Sequence, residues 1–199
     1  MIYYRKTLLL ALCTCLMSMI VLAGNESDKP AQAPKAGFRA EMLMQLQDVE
    51  KKIEDLADAI PAGKYTWRPA EGVRSISEVY MHIIGSNYFF MTFVGVKAPK
   101  MEKGMETTVT DKAMIAKKFK PSFEHFRNTI LNLSDQDLDK STEMFGSPST
   151  YRNVLITALS HLHEHLGQSI AYARMNGVVP PWTAAQQAAA AEKAAKEKK

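Results

Sequence analysis

The sequence predicts an all-α fold, a single-domain four-helix bundle, and three observations carry that expectation. Four long segments place apolar residues at alternating intervals of three and four, the period of a helix with one buried stripe. No stretch reads as a convincing strand, and no segment repeats another. Turn-forming residues separate the four segments, so each can fold back to share one core with the others.

Residues 1–23 read as an export signal rather than as part of that core. Arg5 and Lys6 precede an apolar run from Leu8 to Leu22, and Val21-Leu22-Ala23 before Gly24 fits the small-residue cleavage rule. The run is at the short end for a membrane span, which needs about 20 apolar residues. Cleavage implies an exported, bacterial periplasmic domain with no stable membrane insertion; an uncleaved N-terminal anchor is the other reading. Cys13 and Cys15 both lie in this segment. The mature chain is therefore expected to have neither a disulfide nor a thiol for metal or catalysis. Residues 24–36 read as a flexible leader.

In the first helix Met42, Leu46, Val49, Ile53, Leu56 and Ile60 form the stripe, and Pro61 and Gly63 stop it. A turn-rich connection, Tyr65 to Arg74, carries aromatics expected to pack across the bundle. Ser75-Ile-Ser-Glu78 has the form of a capping box and opens a second helix through about Val94, with Ile76, Val79, Ile83, Phe90 and Phe93 apolar. A polar loop from Lys97 to Thr110 leads to a third stripe, Ile115, Phe119, Phe123, Phe126, Ile130 and Leu133. Pro121 interrupts it without shifting its register, which predicts one kinked helix. Met144 to Ser149 reads as a loop. The fourth helix runs from near Thr150 to Asn176, roughly 40 Å, and Gly177 followed by Pro180-Pro181 ends it. The bundle thus spans residues 37–182, and 183–199 is a low-complexity Ala/Lys tail, disordered or frayed helix.

The charge balance argues against a nucleic-acid partner. The chain has 25 basic and 21 acidic residues and a pI near 9.0. Removing residues 1–23 takes two basic residues and no acidic one, leaving +2, and the tail from Thr183 holds four lysines against two glutamates. The folded part is close to neutral, with no basic stripe to meet a phosphate backbone.

The candidate chemistry lies in Ser160-His161-Leu-His163-Glu164-His165 of the fourth helix. His161 and His165 are four residues apart, one above the other on the same face, close enough to share one ion. His163 stands about 200° round the helix from His161 and faces outward. His82 lies on the buried side of the second helix, so His82, His161 and His165 form a candidate three-histidine site inside the bundle. A polar groove lined by the same pair fits the spacing too, and His125 reads as an ordinary histidine beside Phe126. Leu162 after His161 excludes the zinc-protease helix motif. Gln168 and Tyr172, three and seven residues after His165, share its face and either support the site or are buried polar residues bonded to neighbours.

Beyond the pair, His165-Leu-Gly167-Gln168-Ser-Ile-Ala-Tyr172-Ala-Arg174-Met-Asn176-Gly177-Val-Val-Pro180-Pro181-Trp182 closely resembles the closing signature of the DinB-like superfamily, also described as DinB/YfiT-like. Trp67-Arg68-Pro69-Ala-Glu71-Gly72-Val73-Arg74-Ser75-Ile76 with Met81-His82-Ile83 resembles the opening of that family's second helix. The resemblance covers about Phe38 to Trp182. It implies an up-down-down-up bundle, a metal held by His82, His161 and His165, and a homodimer as an allowed state.

Three imidazoles leave a divalent ion, zinc or nickel, with an open position. Family relatives include enzymes that use low-molecular-weight thiols, so the resemblance implies a metal-dependent enzyme on a small molecule, with thiol S-transfer as the leading chemistry. The alternative class is a non-catalytic metal- or ligand-binding bundle.

Overall fold

The computed structural model describes residues 33–198. The expected export signal and most of the leader lie outside the described residues. Four long helices supply the core: α1 (Phe38–Ala59), α2 (Ile76–Thr92), α4 (Lys112–Asn132) and α5 (Tyr151–Met175). A single turn, α3 (Met105–Thr108), sits in the α2–α4 connection, and α6 (Pro181–Glu197) follows the bundle. Among the described residues no helix is long and apolar enough to cross a membrane.

Each long helix is built as its stripe dictates. Met42, Leu46, Val49, Ile53 and Leu56 of α1 are buried, and so are Ile115, Phe119, Phe123, Phe126 and Ile130 of α4. Pro121 stands inside α4, and the buried stripe continues on both sides of it, in one helix. The capping box on α2 is present: Ser75 Oγ accepts from the Glu78 backbone N–H at 3.3 Å, and a Glu78 carboxylate oxygen accepts from Ser75 N–H at 2.6 Å. Such a cap is worth about 1 kcal/mol. Thr150 Oγ1 caps α5 by accepting from Asn153 N–H. At its far end Val178 N–H bonds Ala173 O and Gly177 N–H bonds Arg174 O, a Schellman closure that needs the positive φ of 76° which Gly177 supplies.

Cross-helix contacts fix the directions. Arg39 at the start of α1 reaches Asp135 and Leu133 O just beyond α4, while Lys112 at the start of α4 reaches Ile60 O beyond α1; α1 and α4 are antiparallel. Tyr80 meets Phe119, Asn87 bonds Ser122 and Tyr88 meets His125, so α2 and α4 run parallel. Trp67 before α2 packs on Tyr172 near the end of α5, and Thr142 before α5 donates to Phe93 O at the end of α2; these two helices are antiparallel. The order is up, down, down, up. Tyr65, with its hydroxyl on Ala57 O, shows that the α1–α2 connection does pack into the bundle.

Three local expectations are corrected. Where no strand is expected and Met144 to Ser149 reads as a loop, the chain forms a hairpin, β1 (Ser141–Met144) with β2 (Ser147–Thr150), paired antiparallel from Ser141 with Thr150 to Met144 with Ser147. Ser-Thr-Glu-Met and Ser-Pro-Ser-Thr carry no apolar alternation, so period-2 patterning could not reveal them. The two-residue loop is Phe145-Gly146, with φ of 54° and 77°. Both positions of such a loop favour Asn or Gly, and a phenylalanine in the left-handed region costs about 1–2 kcal/mol. Second, α3 interrupts the polar loop. Third, Pro181 does not simply bar continuation but takes the first position of α6, where a missing N–H costs nothing. The expected boundary at 182/183 therefore falls inside a helix. That helix buries no residue, although Trp182 packs partly against the core.

Ending the chain after Thr183 is expected to leave the urea midpoint unchanged, since α6 buries nothing there. Phe123→Ala, which empties a fully buried site, is expected to cost about 3–5 kcal/mol. Tryptophan-fluorescence urea titrations of the two variants against the full chain check both outcomes.

Candidate metal centre

The antiparallel seam between α2 and α5 brings the three histidines together. Their ring centroids are 4.4 Å apart for His161 and His165, 4.7 Å for His82 and His165, and 5.0 Å for His82 and His161. His161 Nε2 is 3.1 Å from Nε2 of both His82 and His165. Two imidazoles on one tetrahedral zinc have nitrogens about 3.3 Å apart, given Zn–N distances of about 2.0–2.1 Å. The cluster therefore has the spacing of a shared ion.

The far nitrogens decide what the near ones offer. His82 Nδ1 is 3.3 Å from a Glu106 carboxylate oxygen, which can only accept, so the proton is assigned to Nδ1 and Nε2 keeps its lone pair. His165 Nδ1 is 2.8 Å from Gln168 Oε1, while Gln168 Nε2 donates to Tyr172 OH at 3.0 Å; the same assignment follows. His161 Nδ1 is buried and has no hydrogen-bond partner among the described residues. Two lone pairs thus converge on the third ring. Partners of this kind, orienting imidazoles from behind, typify metal-binding histidines.

Burial and neighbouring charge favour the neutral form of His161 and His82. Burial pushes His161 down to about 4, and the neighbouring His165 and His82 add to the shift. His82 is also lowered, first by burial and then by the Arg74 charge and His165, against the opposing pull of Glu106. For Glu106 burial raises the carboxyl, but the Arg74 hydrogen bond at 2.6 Å and its charge, with His82, outweigh it and hold the group below the usual carboxylate range. Neutral imidazole is the form a cation needs.

The remaining sequence candidates fall on both sides. Gln168 and Tyr172 form a chain behind His165, and Ser86 Oγ lies 3.5 Å from His82 Nε2. Glu78 serves the cap and accepts from Arg68, not from a site histidine. His163 is exposed, bonding Leu159 O, and His125 stacks edge-on against Tyr88. Two residues escaped the sequence: Glu106, in the stretch expected as featureless polar loop, and its partner Arg74. The signal for them is topological. Helices α2 and α4 run parallel, so the chain between them must return along the bundle, and it returns over His82.

Comparison with known proteins bears on the family and the fold. The sequence model of the DinB superfamily matches residues 45–169. An uncharacterised Bacillus subtilis protein, YjoA, is 30% identical over 128 residues, 62% of this chain and 80% of YjoA. A solved DinB-like structure from Bacillus cereus superposes with TM-score 0.64 at 20% identity, covering 70% of this chain and 93% of that one. YfiT from B. subtilis superposes with TM-score 0.58 at 14% identity, covering 76% and 97%; it is described as a probable metal-dependent hydrolase with an unusual four-helix bundle topology.

With a chelator present, the depressed His161 value makes stability pH-dependent. The unfolded chain takes up a proton near pH 6.5, whereas folded His161 resists protonation until about 4. Stability is therefore complete above about pH 6.5 and is lost as pH falls towards about 4, by on the order of 1–2 kcal/mol once partial solvation of the ring is discounted. Urea unfolding in EDTA at pH 7 and pH 4.5 measures the slope, and His161→Ala is expected to flatten it.

Proposed function

The chain belongs to the DinB superfamily, and we propose that His82, His161 and His165 hold one divalent cation, zinc or nickel, in a metal-dependent enzyme acting on a small molecule. The observation that carries this reading is the convergence of three imidazole Nε2 atoms on the α2–α5 seam, two of them with protons assigned to the opposite nitrogen by Glu106 and Gln168. Three protein donors leave a coordination position free, as catalytic sites do.

A bound divalent cation supplies Lewis-acid polarisation and eases deprotonation of a water or thiol. The chain's own residues do the positioning. Glu106 and the Gln168–Tyr172 pair hold His82 and His165 in register, and Arg74 holds Glu106. The described residues include no cysteine, since Cys13 and Cys15 precede them, in the expected export signal. The nucleophile therefore comes from solvent or from the substrate. Thiol S-transfer is the finer reading we favour; hydrolysis, the activity ascribed to YfiT, uses the same open position. We further propose that the enzyme is exported, on the strength of the charged and apolar pattern in residues 1–23.

Elemental analysis of protein purified without a histidine tag is expected to find about one zinc or nickel per chain, the capacity of one three-histidine site, and almost none in the His161→Ala, His165→Ala double variant. Equal, near-zero metal in both would dispose of the centre. Turnover of thiol-transfer or ester substrates should vanish in that variant and on chelation; metal without turnover on any such substrate would favour the binding-protein reading. Glu106→Ala is expected to weaken zinc binding by about 10–100-fold, with Glu106→Gln milder because its amide oxygen still accepts from His82. Competition with a chromophoric chelator measures both.

A further inference from the structure

Phe89, Phe90, Phe93 and Phe145 form an aromatic cluster where the hairpin meets the end of α2. Centroids are 5.0 Å apart for Phe89 and Phe93, 5.3 Å for Phe93 and Phe145, and 6.0 Å for Phe90 and Phe145. Two of these rings do not belong to the core. Phe89 is 49% exposed and Phe145 65%. Phe145 also occupies a left-handed position that Asn or Gly would fill without strain. The fold thus bears a local cost and gains little burial from it, since most of the Phe145 side chain stays exposed, and an outlier of that kind calls for a functional account.

Position along α2 supplies one. Ser86, Phe89 and Phe93 follow His82 by four, seven and eleven residues, so at about 100° per residue all four side chains point within about 40° of one direction. The stripe starts at the histidines and ends at the phenylalanines. Phe90, beside the stripe, joins the two, with its ring centroid 5.3 Å from that of His161. The aromatic wall therefore borders the same seam as the three histidines, beginning at Phe89 roughly 10 Å along the helix from His82 and reaching roughly 16 Å at Phe93.

We propose that Phe89, Phe93 and Phe145 form the apolar subsite of the three-histidine centre. The substrate is then an amphipathic small molecule, with a polar metal-ligating group at one end and an aromatic or extended apolar group about 10 Å away. This inference rests on the metal reading above. The exposed part of the rings amounts to about 300 Å², well short of the roughly 800 Å² per partner of a stable protein interface. Its extent suits a small molecule, not a second copy of the chain.

The test uses two hydroxamates on the zinc-loaded full chain, followed by isothermal titration calorimetry. Acetohydroxamic acid presents the metal-binding head alone, and 6-phenylhexanohydroxamic acid adds an apolar arm of the required reach. The arm is expected to tighten binding by about tenfold or more. In a Phe89→Ala, Phe145→Asn double variant that gain should shrink to within about twofold, with acetohydroxamate affinity unchanged. Phe145→Asn suits the turn better than the native residue, so loss of the gain cannot be blamed on unfolding; far-UV circular dichroism and zinc content verify this. Equal affinity of the two probes for the unaltered protein, or a gain that survives the double variant, would overturn the subsite and leave the metal centre standing. A chain that retains no zinc and binds neither probe would bring down the metal reading and the subsite with it. Sedimentation showing a dimer that dissociates on Phe145→Asn would assign the rings to a second copy instead and overturn the proposal.

Discussion

Two helices that run the same way cannot be joined by a short turn, and that constraint governs the face on which the histidines lie. Because α2 and α4 are parallel, residues 93–111 must travel back along the bundle before α4 can start. The returning chain folds one helical turn, α3, and sets Glu106 between Arg74 and His82. Without that return His82 would face its partners with no acceptor behind it. The unusual order of helix directions and the orientation of a site histidine are thus one fact seen at two scales.

The surroundings of the cluster disfavour charge on His161 and His82. Setting His161 Nε2 3.1 Å from the Nε2 atoms of both His82 and His165 in a partly buried seam penalises a proton on His161, whose Nδ1 has no partner among the described residues, and on His82. Arg74 adds to the pressure on His82 while Glu106 relieves it. Lone pairs held at close range have few ways to be satisfied. A cation is the economical one.

What the sequence reveals depends on whether a feature has a period. The stripes of α1 and α4 are periodic over many turns, so their buried faces could be read almost residue by residue, and the Ser75–Glu78 cap has a fixed spacing. His161 and His165 were legible for the same reason, since one turn separates them. His82, 79 positions before His161, could be joined to them only through its place on the buried side of the second helix, a weaker signal that the family resemblance strengthened. Glu106 had neither period nor fixed offset, and the hairpin is too short and too polar to alternate. The start of α6 at Pro181 was hidden by the double role of proline, which ends one helix and suits the first position of the next.

The arrangement of helix directions also settles where the bundle can be joined to other chains. Since α1 and α5 are parallel, with Arg152 stacked over Phe38 at their common start, the first residue of α1 and the last of α5 sit at opposite poles. Closing the bundle into a circular permutant would take a linker able to span about 38 Å, the length of a 25-residue helix. As a tandem module, by contrast, it adds reach: domains fused before α1 and after α5 are held a full helix length apart.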